Sequence, residues 1–428
     1  MKKIIKKTLS YLYILIITLS LLELTSYVIL RFTNSHILTF PLFNRTLSPY
    51  YVFGNSPYYK FTNTIKTNKT ENDLVINQYG FIAEPPLNIE KDSNTLRIAL
   101  FGGSAAFGNG QSEAYCIVKK YPSGVYSYES SIAGQLKRLL EKSFPQKKIE
   151  VINATGVQRM VHQSVIYYME TISQFKPDIV ISLDGMNDIT DFLGISPYTK
   201  CALQFDSYIN LYQISKALQD KSISNTINLL NVIRFRNIKK TVKKESNENL
   251  KYYYGYQHNK ILNNDYQKYK HLFLNNSFLF EKQVLFFNAV CKTNQSTFIF
   301  GLQPLLHRTI NKQLSPVEQL FQSNISPINV RMHFSSLNIR QIEQIETLIS
   351  LEIKYFFDDY LSVQMEQLAQ KNNFMFIDFN KEIQNIPKNT EFYTDYCHLT
   401  QEGNKIVASI LVNKIKAILT VKINEHNE

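Results

Sequence analysis

Short, nearly continuous apolar runs recur along this chain, separated by segments whose apolar positions fall three and four residues apart. The runs are 96–101 (LRIALF), 148–152 (KIEVI), 178–183 (DIVISL), 297–302 (TFIFGL) and 374–377 (FMFI). Each has the length and the β-branched or aromatic content of a strand buried on both faces. Between them, residues 127–144 carry Ile132, Leu136, Leu139 and Leu140 over a basic face and stop before Pro145, which predicts a surface helix. Residues 162–175, 278–291, 340–371 and 401–420 read as further helices. Strands alternating with helices predict an α/β protein with a doubly wound parallel sheet. Residues 33–94, rich in Tyr, Asn, Thr and Pro, read as an irregular spacer and cap, with 74–76 as an edge strand and 78–81 as a turn. The alternation fails at about 191–270 and 305–338, which read as insertions, the second able to cover a cleft. Domain boundaries are therefore expected at 1–32, 33–94 and 95–428.

The first 32 residues follow a different pattern. Lys2, Lys3, Lys6 and Lys7 precede an apolar stretch from about 8 to 30, long enough to cross a bilayer core. Leu24-Thr25-Ser26 makes a poor cleavage site and no lipoprotein cysteine follows, so an uncleaved signal anchor is expected. The lysines place the N-terminus in the cytoplasm and everything after Arg31 outside. Glu23, costly inside the span, is expected to snorkel toward the headgroups.

Composition changes this picture little. Of 428 residues, 44% are apolar and 19% charged, as in a globular protein. The net charge of +12 is spread out. Lysines cluster at 2–7 and 239–244 without zinc-finger spacing, a basic helix or an aromatic RNA-reading motif, so no nucleic-acid partner is expected. An anionic membrane face or acidic glycan accounts for the charge more simply. Cys116, Cys201, Cys291 and Cys397 would face an oxidising compartment, with three possible connectivities if all pair. Their spacing is too wide for a zinc site, and no metal is expected.

Four separated stretches fall at the carboxyl ends of predicted strands, where α/β folds place their ligands. Ser104 follows Gly102 and Gly103 at the sharp turn after the first strand. Residues 153–158 (NATGVQ) follow the second, residues 184–188 (DGMND) the third, and residues 394–399 (TDYCHL) the fifth. Acyl transfer by a serine needs a base, a carboxylate to orient that base, and donors for the oxyanion. His398 supplies the base and Asp395, three residues earlier, its orienting carboxylate. Asn187 can turn its amide toward the oxyanion, beside the N–H of Ser104 and one from the Gly156 loop. His162, His307 and His333 lack an acid at that spacing and are not expected as bases. Cys397 is not expected as the nucleophile. Gln303-Pro304 ends the fourth strand.

With these blocks in order, the chain resembles the SGNH hydrolases, also called GDSL-type esterases. Gly102-Gly103-Ser104 matches the serine block, with Gly103 where the namesake pattern has Asp. Gly185-Met186-Asn187-Asp188 matches G-x-N-D, and Asp395-Tyr396-Cys397-His398 matches D-x-x-H. The glycine block fits less closely: the family's donor glycine stands about five residues after the Asn, here Gln158, whereas the glycine is Gly156. The resemblance covers about 96–420 outside the insertions. It implies a flavodoxin-like three-layer α/β/α sandwich, ester hydrolysis or acyl transfer, and no cofactor. By that match Ser104 is nucleophile, His398 base, Asp395 orienter and Asn187 an oxyanion donor, with Gly156 or Gln158 as a further donor.

The function expected is that of a single-pass, membrane-anchored serine hydrolase acting outside the cytoplasm on an O-acyl ester, such as an O-acetyl group on an envelope glycan or an acylated lipid. The alternatives are an O-acyltransferase modifying envelope polysaccharide and a non-catalytic scaffold that binds glycan.

Overall fold

The computed structural model describes residues 2–32, 45–48, 52–61, 64–66, 68, 70–111, 121, 124–157, 159–188, 224–234, 236–237, 266–308, 312–321, 361–387 and 389–427. The chain divides into two compact units.

One unit comprises Ser48–Ser196 and Tyr254–Glu428. Its centre is a five-stranded parallel sheet of β1 (Thr95–Gly102), β2 (Lys148–Asn153), β3 (Ile179–Asp184), β4 (Thr297–Leu302) and β5 (Met375–Asp378), in the order β2-β1-β3-β4-β5. All five expected strands are present, each within a residue or two of its predicted position. The register pairs Ile98 with Val151 on one side and with Ile179 on the other. Alternate residues of each strand feed two separate cores, as a strand's period of two requires. Ile98, Leu100, Val151 and Ile181 pack on one face with Leu136, Leu411 and Ile415. Ala99, Phe101, Val180 and Phe300 pack on the other with Val165, Phe287 and Met365.

The helices supplying those faces include the short α2 (Ser104–Phe107), then α3 (Ile132–Ser143), α4 (Val161–Tyr167), α5 (Tyr266–Thr293), α6 (Ser362–Asn372) and α7 (Gln401–Asn427). Helices α3 and α7 cover the first face, and α4, α5 and α6 the second. The result is a three-layer α/β/α sandwich. From β1 the chain winds to β2 on one side and then back to β3 on the other. That reversal opens a crevice at the carboxyl ends of β1 and β3.

Several elements depart from their sequence expectation. The helix expected over 162–175 stops at Tyr167, and a π-helical turn (Tyr168–Ile172) and a 3-10 turn (Ser173–Phe175) complete it. The buried Tyr168 hydroxyl pairs with Ser296 Oγ at 3.1 Å there. Helix α5 begins at Tyr266, inside the expected insertion. Of 340–371, only the part from 361 lies among the described residues. Residues 74–76 form no regular strand; Val75 makes a single antiparallel bridge with Lys60. The 78–81 turn is present, with Gly80 at φ 84° donating its N–H to Asn77. Leu74, Ile76 and Ile82 enter the first core, and Ile82 pairs with Asn153 on edge strand β2. The described residues of 305–338 are no loose cover, since Leu306, Glu318 and Phe321 are fully buried.

At the amino end of the sheet Arg97 is buried. Its guanidinium donates to Glu150 (2.7 Å) and to the carbonyls of Asn88, Ile89 and Phe175, satisfying the charge.

The other unit comprises Met1–Leu47 and Pro197–Tyr253. It contains α1 (Lys2–Phe32) and a helix over 225–234. Residues Lys6–Phe32 have the length and hydropathy of a membrane span and are almost entirely exposed. Glu23, expected from sequence to snorkel toward headgroups, instead has partners: it accepts hydrogen bonds from residues 224–226.

Candidate active site

Ser104 owes its position to two glycines. Gly102 closes β1 at φ 144°, and a Cβ there would lie 2.3 Å from the Leu183 carbonyl of the neighbouring strand. Gly103 then approaches Asn187 so closely that a Cβ would sit 2.3 Å from its Nδ2. With both side chains absent, the backbone turns at once into α2 and presents Ser104 as its first residue. Gly108, at φ 91°, ends that single turn.

The D-x-x-H stretch is a closed loop. Tyr393 and Leu399 bridge its ends and the Thr394 N–H donates to the His398 carbonyl at 2.9 Å. Asp395 is fully buried inside it. Its Oδ1 accepts the backbone N–H groups of Cys397 (3.0 Å) and His398 (2.8 Å). Its Oδ2 lies 2.7 Å from His398 Nδ1, and His398 Nε2 lies 2.8 Å from Ser104 Oγ. Three side chains named from sequence, two of them from a loop almost three hundred residues after the first, thus form a continuous hydrogen-bonded chain.

Burial opposes charge on both members of the pair. For Asp395 that penalty is outweighed by His398 and the two loop amides, which hold the carboxyl below its usual range. Burial likewise works against the imidazolium, but the Asp395 carboxylate holds His398 well above the usual histidine value. Burial pushes the Cys397 thiol up, which suits a neutral thiol rather than a nucleophile.

Asn187 stands at the crevice after β3, and its Nδ2 donates to the Arg159 carbonyl at 2.9 Å. The adjacent Asp188 faces elsewhere: its Oδ1 accepts the N–H of Val161, the first residue of α4. The N–H of Ser104, at the first position of a helix, has no acceptor within that helix.

Gly156 differs from expectation. Its N–H donates to the Gly102 carbonyl at 3.0 Å, so it ties the loop after β2 to the serine turn instead of facing an oxyanion. Its lack of a side chain serves Arg159, whose guanidinium would come within 3.0 Å of a Cβ there. Gln158 lies outside the described residues, as do Cys116, Cys201 and His333. His162 sits on α4, where burial pulls its imidazole down, and it is not part of the hydrogen-bonded chain described above. Cys291 and Cys397 are free buried thiols.

The sequence reading did not single out Arg159, whose guanidinium donates to the Ala154 carbonyl and lies 4.5 Å from the centre of the Tyr167 ring. Its only signal was an arginine directly after the polar stretch that follows β2. Donor atoms of Asp395, Cys397 and His398 all lie within 4.8 Å of one another, a set able to hold a metal ion. His398 and Asp395, however, are already engaged with each other.

The fold is thus a parallel α/β/α sandwich, with a serine, a histidine and a buried aspartate linked at its topological switch point. No family profile matches the sequence, and no curated protein matches it. Among solved structures, a lipase/acylhydrolase from Enterococcus faecalis aligns at 13% identity over 75% of this chain and 95% of its own, with a TM-score of 0.33. An acetylxylan esterase from Geobacillus stearothermophilus aligns at 14% identity over 74% and 93%, TM-score 0.33. An α/β hydrolase from a Lake Arreo metagenome aligns at 11% identity over the same shares, TM-score 0.33.

Proposed function

We propose that this protein is a membrane-anchored serine hydrolase of SGNH type that cleaves O-acyl esters. The observation that carries the reading is the hydrogen-bonded chain from Ser104 Oγ through His398 to the buried Asp395. His398 Nε2 takes the Ser104 proton as the hydroxyl oxygen adds to the ester carbonyl. The tetrahedral oxyanion is met by the Ser104 N–H and by the amide of Asn187, already steered to the crevice by Arg159. His398 then protonates the departing alkoxide, leaving an acyl group on Ser104. In the second half-reaction His398 takes a proton from water as the hydroxide equivalent adds to the acyl carbon, then returns that proton to Ser104 Oγ as the carboxylic acid departs and ionises in solvent. Asp395 keeps the Nδ1 proton in place throughout and stabilises the imidazolium.

Helix α1 is the anchor in this reading, with its lysine-bearing end in the cytoplasm and the catalytic unit outside. That location favours an O-acylated envelope glycan, an acetyl ester in particular, as substrate. The test uses the full chain in detergent with an activated acetate ester and a fluorophosphonate probe. Ser104→Ala is expected to lower kcat by about 10^4 or more and to abolish labelling. Unchanged hydrolysis in Ser104→Ala overturns the proposal.

A further inference from the structure

A carboxylate in the middle of an apolar helix needs a partner, and Glu23 has one. It accepts hydrogen bonds from the Ser224 hydroxyl and from the backbone N–H groups of Asn225 (2.7 Å) and Thr226 (3.4 Å). One turn on, the buried Ser26 donates to the Thr226 hydroxyl at 3.3 Å. These acceptors and donors meet at the start of the helix over 225–234, so Glu23 satisfies two of the orphan amides of that helix and sits at the positive end of its dipole. At a rise of ~1.5 Å per residue, Glu23 lies about 13 Å short of the helix end at Phe32. In a hydrocarbon core about 30 Å thick, that depth falls in the outer leaflet.

The 225–234 helix is apolar on two sides. Val232 is buried, while Ile227, Leu230 and Ile233, spaced three residues apart, form a stripe that is 50%, 55% and 46% exposed. A helix lying in water carries polar residues on its outer stripe. This one follows its apolar stripe with Arg234 and Arg236, and the sequence continues with Lys239, Lys240, Lys243 and Lys244. Apolar surface beside a spanning helix, with cations where the chain leaves it, matches the layering of acyl chains and anionic headgroups.

We propose that residues 224–237 form a second membrane element, latched to α1 by Glu23 within the outer leaflet. Its Ile227, Leu230 and Ile233 stripe faces acyl chains, and its arginines reach anionic headgroups. The latch supplies the carboxylate with donors that lipid cannot, and Glu23 accepts the first two helix amides while Ser224 Oγ accepts the third, from Ile227, at 3.3 Å. The proposal rests on the reading of α1 as a membrane anchor.

The experiment reconstitutes the full chain in vesicles of phosphatidylcholine and phosphatidylglycerol, with an environment-sensitive fluorescent amino acid replacing either Leu230 or Leu15. Both probes are expected to emit at blue-shifted wavelengths, to be quenched by lipid-borne nitroxides and to be shielded from iodide. A residue-230 probe open to iodide while the residue-15 probe is shielded overturns the second element and leaves the anchor standing. A residue-230 probe shielded from both quenchers overturns it as well, since a protein surface then covers the stripe. A residue-15 probe open to iodide overturns the anchor and the proposal together. Glu23→Leu, with α1 still in the bilayer, is expected to raise iodide quenching at residue 230 several-fold; an unchanged value overturns the latch.

Discussion

His398 carries two opposing demands, because as the proposed base it must be neutral while Asp395 favours its charged form. The carboxylate holds the imidazole well above its usual value, so the free protein keeps His398 protonated further into neutral pH than an isolated histidine. Activity is therefore expected to rise as pH rises through that displaced value, with the acid limb of kcat/KM above 6.5. Asp395→Asn should move that limb downward while lowering kcat by about 10^4, because the imidazole loses its orientation. A pH profile of both proteins checks the pair of effects. Asp184, at the end of β3, is a second titrating residue nearby. Burial pushes its carboxyl up to about 7 from 3.8, against the opposing pull of the Ser182 hydroxyl and the Arg159 guanidinium. A native value above the unfolded one means that its contribution to stability is complete below pH 3.8 and is lost as pH rises through about 7. Ionising it in the folded state costs about 4 kcal/mol. Asp184→Asn should accordingly flatten the decline in urea midpoint between pH 5 and 8, as unfolding at several pH values would reveal. The meeting of Ser104, Asp395 and His398 could be anticipated from sequence, because acyl transfer would need those three side-chain types at strand ends. Gly156 was misread because glycine suggests an available amide, whereas the requirement at that position is steric room for Arg159.

At the scale of elements, the loop bearing Asp395 and His398 is held from outside by a buried ion pair. Glu318 Oε1 accepts the N–H groups of Phe392 (2.9 Å) and Tyr393 (3.2 Å), immediately before the loop. Its Oε2 accepts from the Ser315 N–H and from Lys312, whose ammonium also donates to the Thr390 carbonyl at 2.9 Å. Both side chains are almost wholly inaccessible to solvent. Removing one charge strands the other, so Glu318→Gln is expected to destabilise the fold by about 3–5 kcal/mol. Lys312→Met with Glu318→Gln removes both charges and should recover part of that loss, which urea unfolding of the single and double variants would measure. This brace was not legible, because Glu318 and the Phe392 amide that it accepts lie 74 residues apart and the intervening polarity suggests a surface insertion. The five strands were legible for the opposite reason. A strand buried on both faces must be apolar throughout, so its identity is written in a handful of consecutive residues. The break in α4 at Tyr167 was not, since the apolar spacing of 162–175 continues across the π-helical turn.

For the whole molecule, the proposed chemistry and the proposed membrane attachment fall in different units. Ser104, Asn187, Asp395 and His398 all belong to Ser48–Ser196 and Tyr254–Glu428, whereas α1 and the 225–234 helix belong to the other unit. Truncations should therefore separate the two properties in a set order. Deleting residues 1–32 removes the proposed anchor but leaves the Ile227, Leu230 and Ile233 stripe, already exposed, in place. At about 25 cal/mol per Å² of apolar surface, such a stripe retains affinity for a bilayer even without the anchor. The arginines and lysines beyond it add an attraction to anionic lipid that salt screens over about 10 Å. The chain lacking 1–32 is thus expected to sediment with phosphatidylglycerol vesicles and to release progressively as salt is raised. Replacing 197–253 with a flexible Gly/Ser linker as well should free it from vesicles at every salt concentration. Both truncated chains should hydrolyse an activated acetate ester at the parent rate per fluorophosphonate-titrated serine, because the hydrogen-bonded chain at Ser104 draws on neither deleted segment. Vesicle co-sedimentation and active-site titration on the same samples read both properties. Loss of turnover in the doubly truncated chain, with its serine still titrating, would overturn the separation of the proposed chemistry from the proposed anchor.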